Sequence, residues 1–538
     1  MNVLTLQSSP MTANTLKANQ AQIQAITRLL VDSGMGQLPA MAADKSAADG
    51  KTLAAAPMDQ QPDLLAHFLN RSSYGYSAEE LDLARDLGLA EYLEYQLAWE
   101  AFDIGVIENL LHQVFDSLSM DYAEVIHRAR SDNQFNPAFE IVAATLIRAA
   151  YQPNQLYEMM VEFWSNHFNV NLFDGAIQVF KGIDDRDNIR PHALGRFRDL
   201  LHANAKSPVM LLYLDGFSNT ADGPNENYAR ELMELHTLGV NGGYTEDDVK
   251  EVARCFTGWT ITEQADGLFF FFAPNHDTGA KTVLGQTIPA GGGIEDGEQV
   301  LDLLASHPST AAFIAKKLCQ RFISDEPPQA AVDAVATTFT QTDGDIKDCL
   351  RTLFLSDEFA ASSGQKFKRP VEYVLSLVRT FTPVSNNRAF EFIYRQTRNM
   401  KQTPFAYPAP TGYSDQAASW LNTNALLDRW NLAFAVAFGD LDLGRNVDGD
   451  NEPSAVAADF LPIPVLTMLG SARSAAAITD RMIEQVLHHN IGQNDRDALI
   501  QLAAGGQPST VPLPLDQALA SARAVLAALL ASRHFQQR

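Results

Sequence analysis

Apolar residues recur at helical spacing along most of this chain. In QLYEMMVEFWSNHF, residues 155–168, Leu156, Met160, Phe163 and His167 follow i, i+4, i+7 and i+11, with Glu158, Glu162 and Ser165 on the opposite side. In NENYARELMELHTLGV, residues 225–240, a turn of about 100° per residue puts Tyr228, Ala229, Leu232, Leu235 and His236 on one face. Asn227, Arg230 and Glu234 share the other, where Arg230 and Glu234 are spaced for an i, i+4 ion pair. Asn225 is placed to cap this helix and Gly239 to stop it. Thr245, with Asp248 three residues on, opens a second helix whose stripe is Val249, Val252, Ala253 and Phe256. Ser77 and Glu80 form the same kind of box upstream.

The helical period breaks in few places. WTITEQADGLFFFFAPNHDTGAKTVLGQTIP carries short aromatic and β-branched runs separated by Asp266-Gly267 and Thr278-Gly279, which predicts a small hairpin. MKQTPFAYPAPTGYSDQAASW, residues 400–420, is too rich in proline to be a helix interior. Its Phe405, Tyr407, Tyr413 and Trp420 either line a pocket or pack a long loop onto the body, and packing is the expectation. Residues 1–60 are rich in Ala, Gln, Ser and Asp and read as a flexible tail. The expected fold is mainly α: a large multi-helix assembly over 61–538 with a small β-hairpin insertion near 258–290, divisible into lobes at 61–296 and 297–538.

Composition narrows the function. Sixty-five acidic side chains against 40 basic give a net charge of −25, which repels nucleic-acid phosphates and anionic lipid. No nucleic-acid partner is expected. No apolar run is long enough for a transmembrane segment, and the first fifty residues lack a basic start followed by an apolar core. A cytoplasmic location is the expectation from that absence. Cys255, Cys319 and Cys349 have no paired spacing and read as buried hydrophobes.

The candidate chemistry lies in histidines. His167 and His236 point inward from their helices, and His276 with Asp277 occupies a turn in PNHDTGAK. Imidazole nitrogens and a carboxylate are the donors of a catalytic metal site, so His167, His236 and His276 are candidate ligands of a divalent metal ion, with Glu231 and Asp277 as candidate catalytic carboxylates. Against this, Glu231 and His236 are five apart, as are Glu162 and His167, about 140° around an α-helix, so neither pair grips one ion. Inward histidines are also ordinary core residues when their ring nitrogens find partners. Asn446, Asp448 and Asp450 sit at the first, third and fifth positions of a calcium loop, but Asn451 and Ala457 replace its turn glycine and bidentate glutamate. No nucleophile elbow, phosphate loop or dinucleotide fingerprint occurs.

FWSNHF at 163–168, RPHALGRFRDLL at 190–201, PNENYARELMELHTLGV, GGYTEDDVKEVARCFTGWTI, PNHDTGAK and HPSTAAFIAKKLCQRFISDEPP at 307–328 together resemble the bacterial family catalogued as domain of unknown function 1800, from about residue 62 onward. The resemblance implies a mainly helical bacterial protein. It also implies that many members are exported and encoded near a phosphatase- or sulfatase-like partner protein, an alternative to the cytoplasmic expectation. It supplies no catalytic residues. Two functional readings stand: a metal-assisted hydrolase or an oxidoreductase built on the histidines, and a noncatalytic helical scaffold or binding protein acting with a partner.

Overall fold

The computed structural model describes residues 63–264, 268–381, 389–439 and 463–538. The N-terminal tail and the 446–457 calcium-loop candidate lie outside the described residues. Helices dominate, and the strands among the described residues form two two-stranded antiparallel sheets. β1 (Trp259–Ile261) pairs with β2 (Phe269–Phe271), and β3 (Lys281–Val283) with β4 (Gln286–Ile288). The expected insertion near 258–290 is therefore two hairpins in succession.

The chain forms two compact units. Of the described residues, one comprises 93–264, 268–361 and 402–415; the other comprises 63–92, 362–381, 389–401, 416–439 and 463–538. The division runs elsewhere than between 296 and 297. Helix Glu295–Ala305 spans that point and packs on Phe197–Ala205 within the first unit. In the second unit, Thr423–Phe438 lies against Leu515–Ala531, which also packs on Ala475–Leu487.

Helix ends follow the local chemistry. The Ser77 and Thr245 side chains each accept from the backbone N–H three residues on, while Glu80 and Asp248 reach back to the cap N–H, satisfying two orphan donors at each start. Asn225 accepts from the Asn227 N–H. Gly239 takes φ +79, and a Cβ there would come within 2.8 Å of the Phe313 ring, so both backbone and packing demand glycine.

Two details of the faces differ from the periodic reading. The helix Gln155–His167 is buried nearly all round: Glu158 and Ser165 are buried too, and Glu158 takes both Nη atoms of Arg190 at 3.0 and 2.8 Å. Beyond Glu226–Glu231 the helix widens to π geometry over Leu232–Thr237, with the Leu238 N–H reaching back five residues to the Met233 carbonyl at 2.9 Å. One residue is thus added to the turn, which keeps Met233 and His236 inside and leaves Leu235 partly exposed. Arg230 does not pair with Glu234; its guanidinium meets Glu226 at 3.2 Å and both oxygens of Glu246 at 2.8 and 2.7 Å. Glu246 opens the next helix and presents a bidentate carboxylate that Glu234 does not match.

Residues 402–415 pack onto the first unit through their backbone. Asn166 donates to the Tyr413 carbonyl and accepts from its N–H, each at 2.7 Å. Asn169 donates to the Tyr407 and Ala409 carbonyls, and Tyr213 to that of Pro408. Gly412, at φ +69, lies so close that a Cβ would stand 2.3 Å from the Asn166 carbonyl oxygen. A segment with few N–H donors of its own is held by side-chain amides that reach its free carbonyls.

Candidate functional site

His167 is the last residue of its helix, buried in a ring of aromatics: Phe168, Trp164 and Phe197 lie at centroid distances of 4.5, 5.5 and 6.3 Å. Trp164 in turn donates its indole N–H to the Ala193 carbonyl, which fixes this wall. His167 Nε2 lies 3.0 Å from the His236 carbonyl oxygen and Nδ1 lies 2.8 Å from Lys317 Nζ. A carbonyl only accepts, so the proton belongs on Nε2 and Nδ1 accepts from the lysine. The His236 carbonyl is one of the orphan acceptors at a helix C-terminus, and the imidazole supplies its donor. Burial, then the nearby Lys317 charge, holds His167 well below the ordinary imidazole value, so it is neutral at pH 7.

His236 itself is 0% exposed, with its ring 5.0 Å from Phe168 and 6.0 Å from His167. Neither of its ring nitrogens has a hydrogen-bond partner among the described residues. Burial, and secondarily Lys317, pushes its imidazole down to about 3. It is a neutral core ring, unable to exchange protons near neutrality.

Lys317 lies on the helix Pro308–Phe322, partly buried, with the Phe313 ring one turn before it at 5.5 Å from Nζ. Its only hydrogen bond among the described residues is the one to His167. Burial lowers the ammonium to about 8, although Asp415 pulls it upward. One turn further on, Arg321 is fully buried and bridges Glu162 at 3.2 Å and Asp415 at 3.1 Å. This arrangement gathers a titratable amine, a neutral imidazole and an ion-paired guanidinium on adjoining helices and the 402–415 segment.

The remaining sequence candidates are His276, Asp277 and Glu231. His276 has Nδ1 2.8 Å from the Thr257 carbonyl and Nε2 3.3 Å from Asp296 Oδ2. Asp296 also receives Lys281 Nζ at 2.6 Å, in a cluster that excludes solvent. Asp277 is paired twice with Arg254, at 2.7 and 3.2 Å, and accepts from the Gly279 N–H. The arginine bond chiefly, against partial burial, lowers its carboxyl to about 2. Glu231 is half-buried, and burial followed by repulsion from Glu234 raises its carboxyl above the ordinary value. Its distance from His236 cannot be taken from α-helical spacing, because the intervening turn is π. Among the described residues, no group of three or more His, Cys, Asp and Glu side chains is arranged to hold a metal ion.

Residues 67–537 match the family described as protein of unknown function (DUF1800). The chain belongs to this family. No curated protein and no solved structure matches it. Within this DUF1800 chain, sequence reasoning reached His167 and His236 as inward residues and missed Lys317, Arg321 and Asp415. Their signal was faint: Phe313, Lys317 and Arg321 recur at i, i+4 and i+8, so one helix face carries cations where solvent-facing charge is the ordinary reading.

Proposed function

We propose that this DUF1800 chain is an enzyme that moves a proton at Lys317 Nζ, with hydrolysis as its reaction class. The observation that carries the reading is the 2.8 Å bond from Lys317 Nζ to His167 Nδ1, made by an amine with no other hydrogen-bond partner among the described residues. A neutral amine that spends one N–H on His167 keeps its lone pair for a water molecule. It takes that water's proton as the oxygen attacks, then returns a proton to the leaving group. His167 is a positioning residue: its other nitrogen is tied to the His236 carbonyl, a dead end for proton transfer. A metal-assisted version finds less support, since His276 is engaged by Thr257 and Asp296 and both His167 nitrogens are occupied.

The test has two parts. Acetylation of each lysine with trace acetic anhydride, read by peptide mass spectrometry across pH 6–11, should show Lys317 half-reactive near pH 8 (about 8 by its environment) and exposed lysines near the ordinary value of roughly 10.4. A panel of ester, amide and phosphoester substrates should then give a turnover that Lys317→Met abolishes without loss of fold. A Lys317 that titrates with the exposed lysines would remove the base.

The noncatalytic reading, a helical binding protein acting with a partner, is favoured by one observation: His236 is walled off completely and uncharged. It requires that Lys317 titrate as described yet no substrate turn over, with binding of a partner unaffected by Lys317→Met.

A further inference from the structure

The second unit concentrates buried cations in a protein whose net charge is −25. In the segment KFKRPVEY, residues 366–373, Lys368 precedes the helix Pro370–Phe381, whose first turn contains Glu372. Glu372 is already claimed: its Oε1 accepts from Arg369 at 3.0 Å and from Arg538 at 2.9 Å, and its Oε2 accepts from the Arg369 N–H. Two further cations lie beside this group. Lys368 is 5% exposed and Arg429 is 1% exposed.

Neither has a carboxylate partner among the described residues. Arg429 gives Nη2 to the Lys368 carbonyl at 2.8 Å, and its Nη1 is buried without an acceptor. Lys368 Nζ makes no hydrogen bond or ion pair among the described residues and faces the Phe535 ring at 4.2 Å. Arg429 lies over Phe367 at 4.3 Å and Tyr373 at 5.1 Å, and the Tyr373 and Phe535 rings are 5.9 Å apart. Aromatic faces attract the two cations, but a ring quadrupole does not neutralise them. Burial, then repulsion from Arg538, pushes Lys368 down to about 7, with Arg429 adding to it and Glu372 opposing, and burial lowers Arg429 to about 10. Two like charges this deep are costly unless an anion completes the set.

We propose that Lys368 and Arg429 form the cationic half of a binding site for a dianionic tetrahedral oxyanion, a phosphate or a phosphate monoester. Two buried cations without a carboxylate hydrogen-bond partner among the described residues suit a doubly charged oxyanion, and a guanidinium with an unpartnered Nη together with a point-charge ammonium is a donor set that phosphate oxygens favour. The proposal does not depend on the chemistry at Lys317.

Thermal unfolding of the full chain at pH 7 tests it, with sodium phosphate titrated against sodium chloride at equal ionic strength. Phosphate should raise the Tm by an amount on the order of 3 °C above the chloride control, since a ligand of the folded state alone stabilises it by mass action. Phenyl phosphate in a parallel titration separates the sources. A half-maximal rise at lower concentration than inorganic phosphate points to a monoester, and the reverse order to the free anion. Lys368→Met keeps the length of the side chain and removes a repelled charge. In chloride its Tm should equal or exceed that of the parent, and its phosphate response should vanish. Absence of any phosphate-specific rise in the parent, or a full response in Lys368→Met, overturns the proposal.

Discussion

Two lysines of the first unit each lean on a histidine neighbourhood, and they have opposite characters. Lys281 is buried and meets the Asp296 carboxylate at 2.6 Å, with His276 on the same oxygen at 3.3 Å. Lys317 is partly buried, and its one hydrogen-bond partner among the described residues is the neutral imidazole of His167 at 2.8 Å. A carboxylate compensates a buried ammonium and makes it structural; an imidazole merely orients it and leaves its charge negotiable. The comparison teaches that the His-Asp density of PNHDTGAK is engaged in internal pairing, His276 with Thr257 and Asp296 and Asp277 with Arg254. It also explains why the proton transfer proposed above is placed at Lys317, in the less conspicuous AAFIAKKLCQRF.

The same substitution at both lysines should break the comparison most sharply. Lys281→Met leaves Asp296 buried with only His276 opposite, and should cost roughly 3–5 kcal/mol of unfolding free energy in urea. Lys317→Met leaves no stranded charge and should cost less than about 1 kcal/mol. Equal losses would mean that Lys317 is as structural as Lys281. A smaller effect is expected at the segment that brings Asp415 toward Lys317. Gly412→Ala introduces a Cβ against the Asn166 carbonyl in a left-handed backbone, and should cost roughly 2–4 kcal/mol. If the Lys317 environment depends on that segment, its labelling midpoint should move as well; an unmoved midpoint would detach Asp415 from the site.

Next in size is the pH dependence that His236 confers. An unfolded histidine takes a proton below about 6.5, whereas folded His236 stays neutral down to about 3, so stability is undiminished above pH 6.5 and falls as pH drops through that window. At pH 5 the loss is on the order of 2 kcal/mol for this one group. His236→Leu removes the loss along with two unpartnered ring nitrogens, so it should be more stable at pH 7 by roughly 1–2 kcal/mol and show a flatter acid limb in denaturant titrations. A marked destabilisation at pH 7 would show that the ring nitrogens have a partner in solution and would reopen a ligand role for His236.

These magnitudes also mark what the sequence could disclose. Caps and stops were legible because they depend on neighbours in the chain: Ser77, Asn225, Thr245 and Gly239 all act over a few residues. Burial of His167 and His236 was legible because amphipathic period reports it. The π turn at 232–237 was not, since an inserted residue leaves the composition unchanged and only shifts the phase. The partners of His276, Arg230 and Lys317 were not legible either. Asp296 for His276, Glu246 for Arg230 and His167 for Lys317 each lie on another element, the last pair 150 residues apart. Charge compensation, which separates a structural lysine from a reactive one, is a property of the fold.

The smallest effect is the most specific. Among the described residues, Asp415 is the charge that raises Lys317 against the effect of burial, and it also pairs with Arg321 on the same helix as Lys317. Asp415→Asn removes that attraction and leaves Arg321 less neutralised beside the amine, so both consequences lower the ammonium further. The labelling midpoint of Lys317 should therefore fall below about 8, by on the order of half a pH unit, while the midpoints of exposed lysines stay fixed. An upward shift would mean that solvent, rather than this carboxylate, sets the charge on Lys317, and the electrostatic distinction from Lys281 would lose its basis.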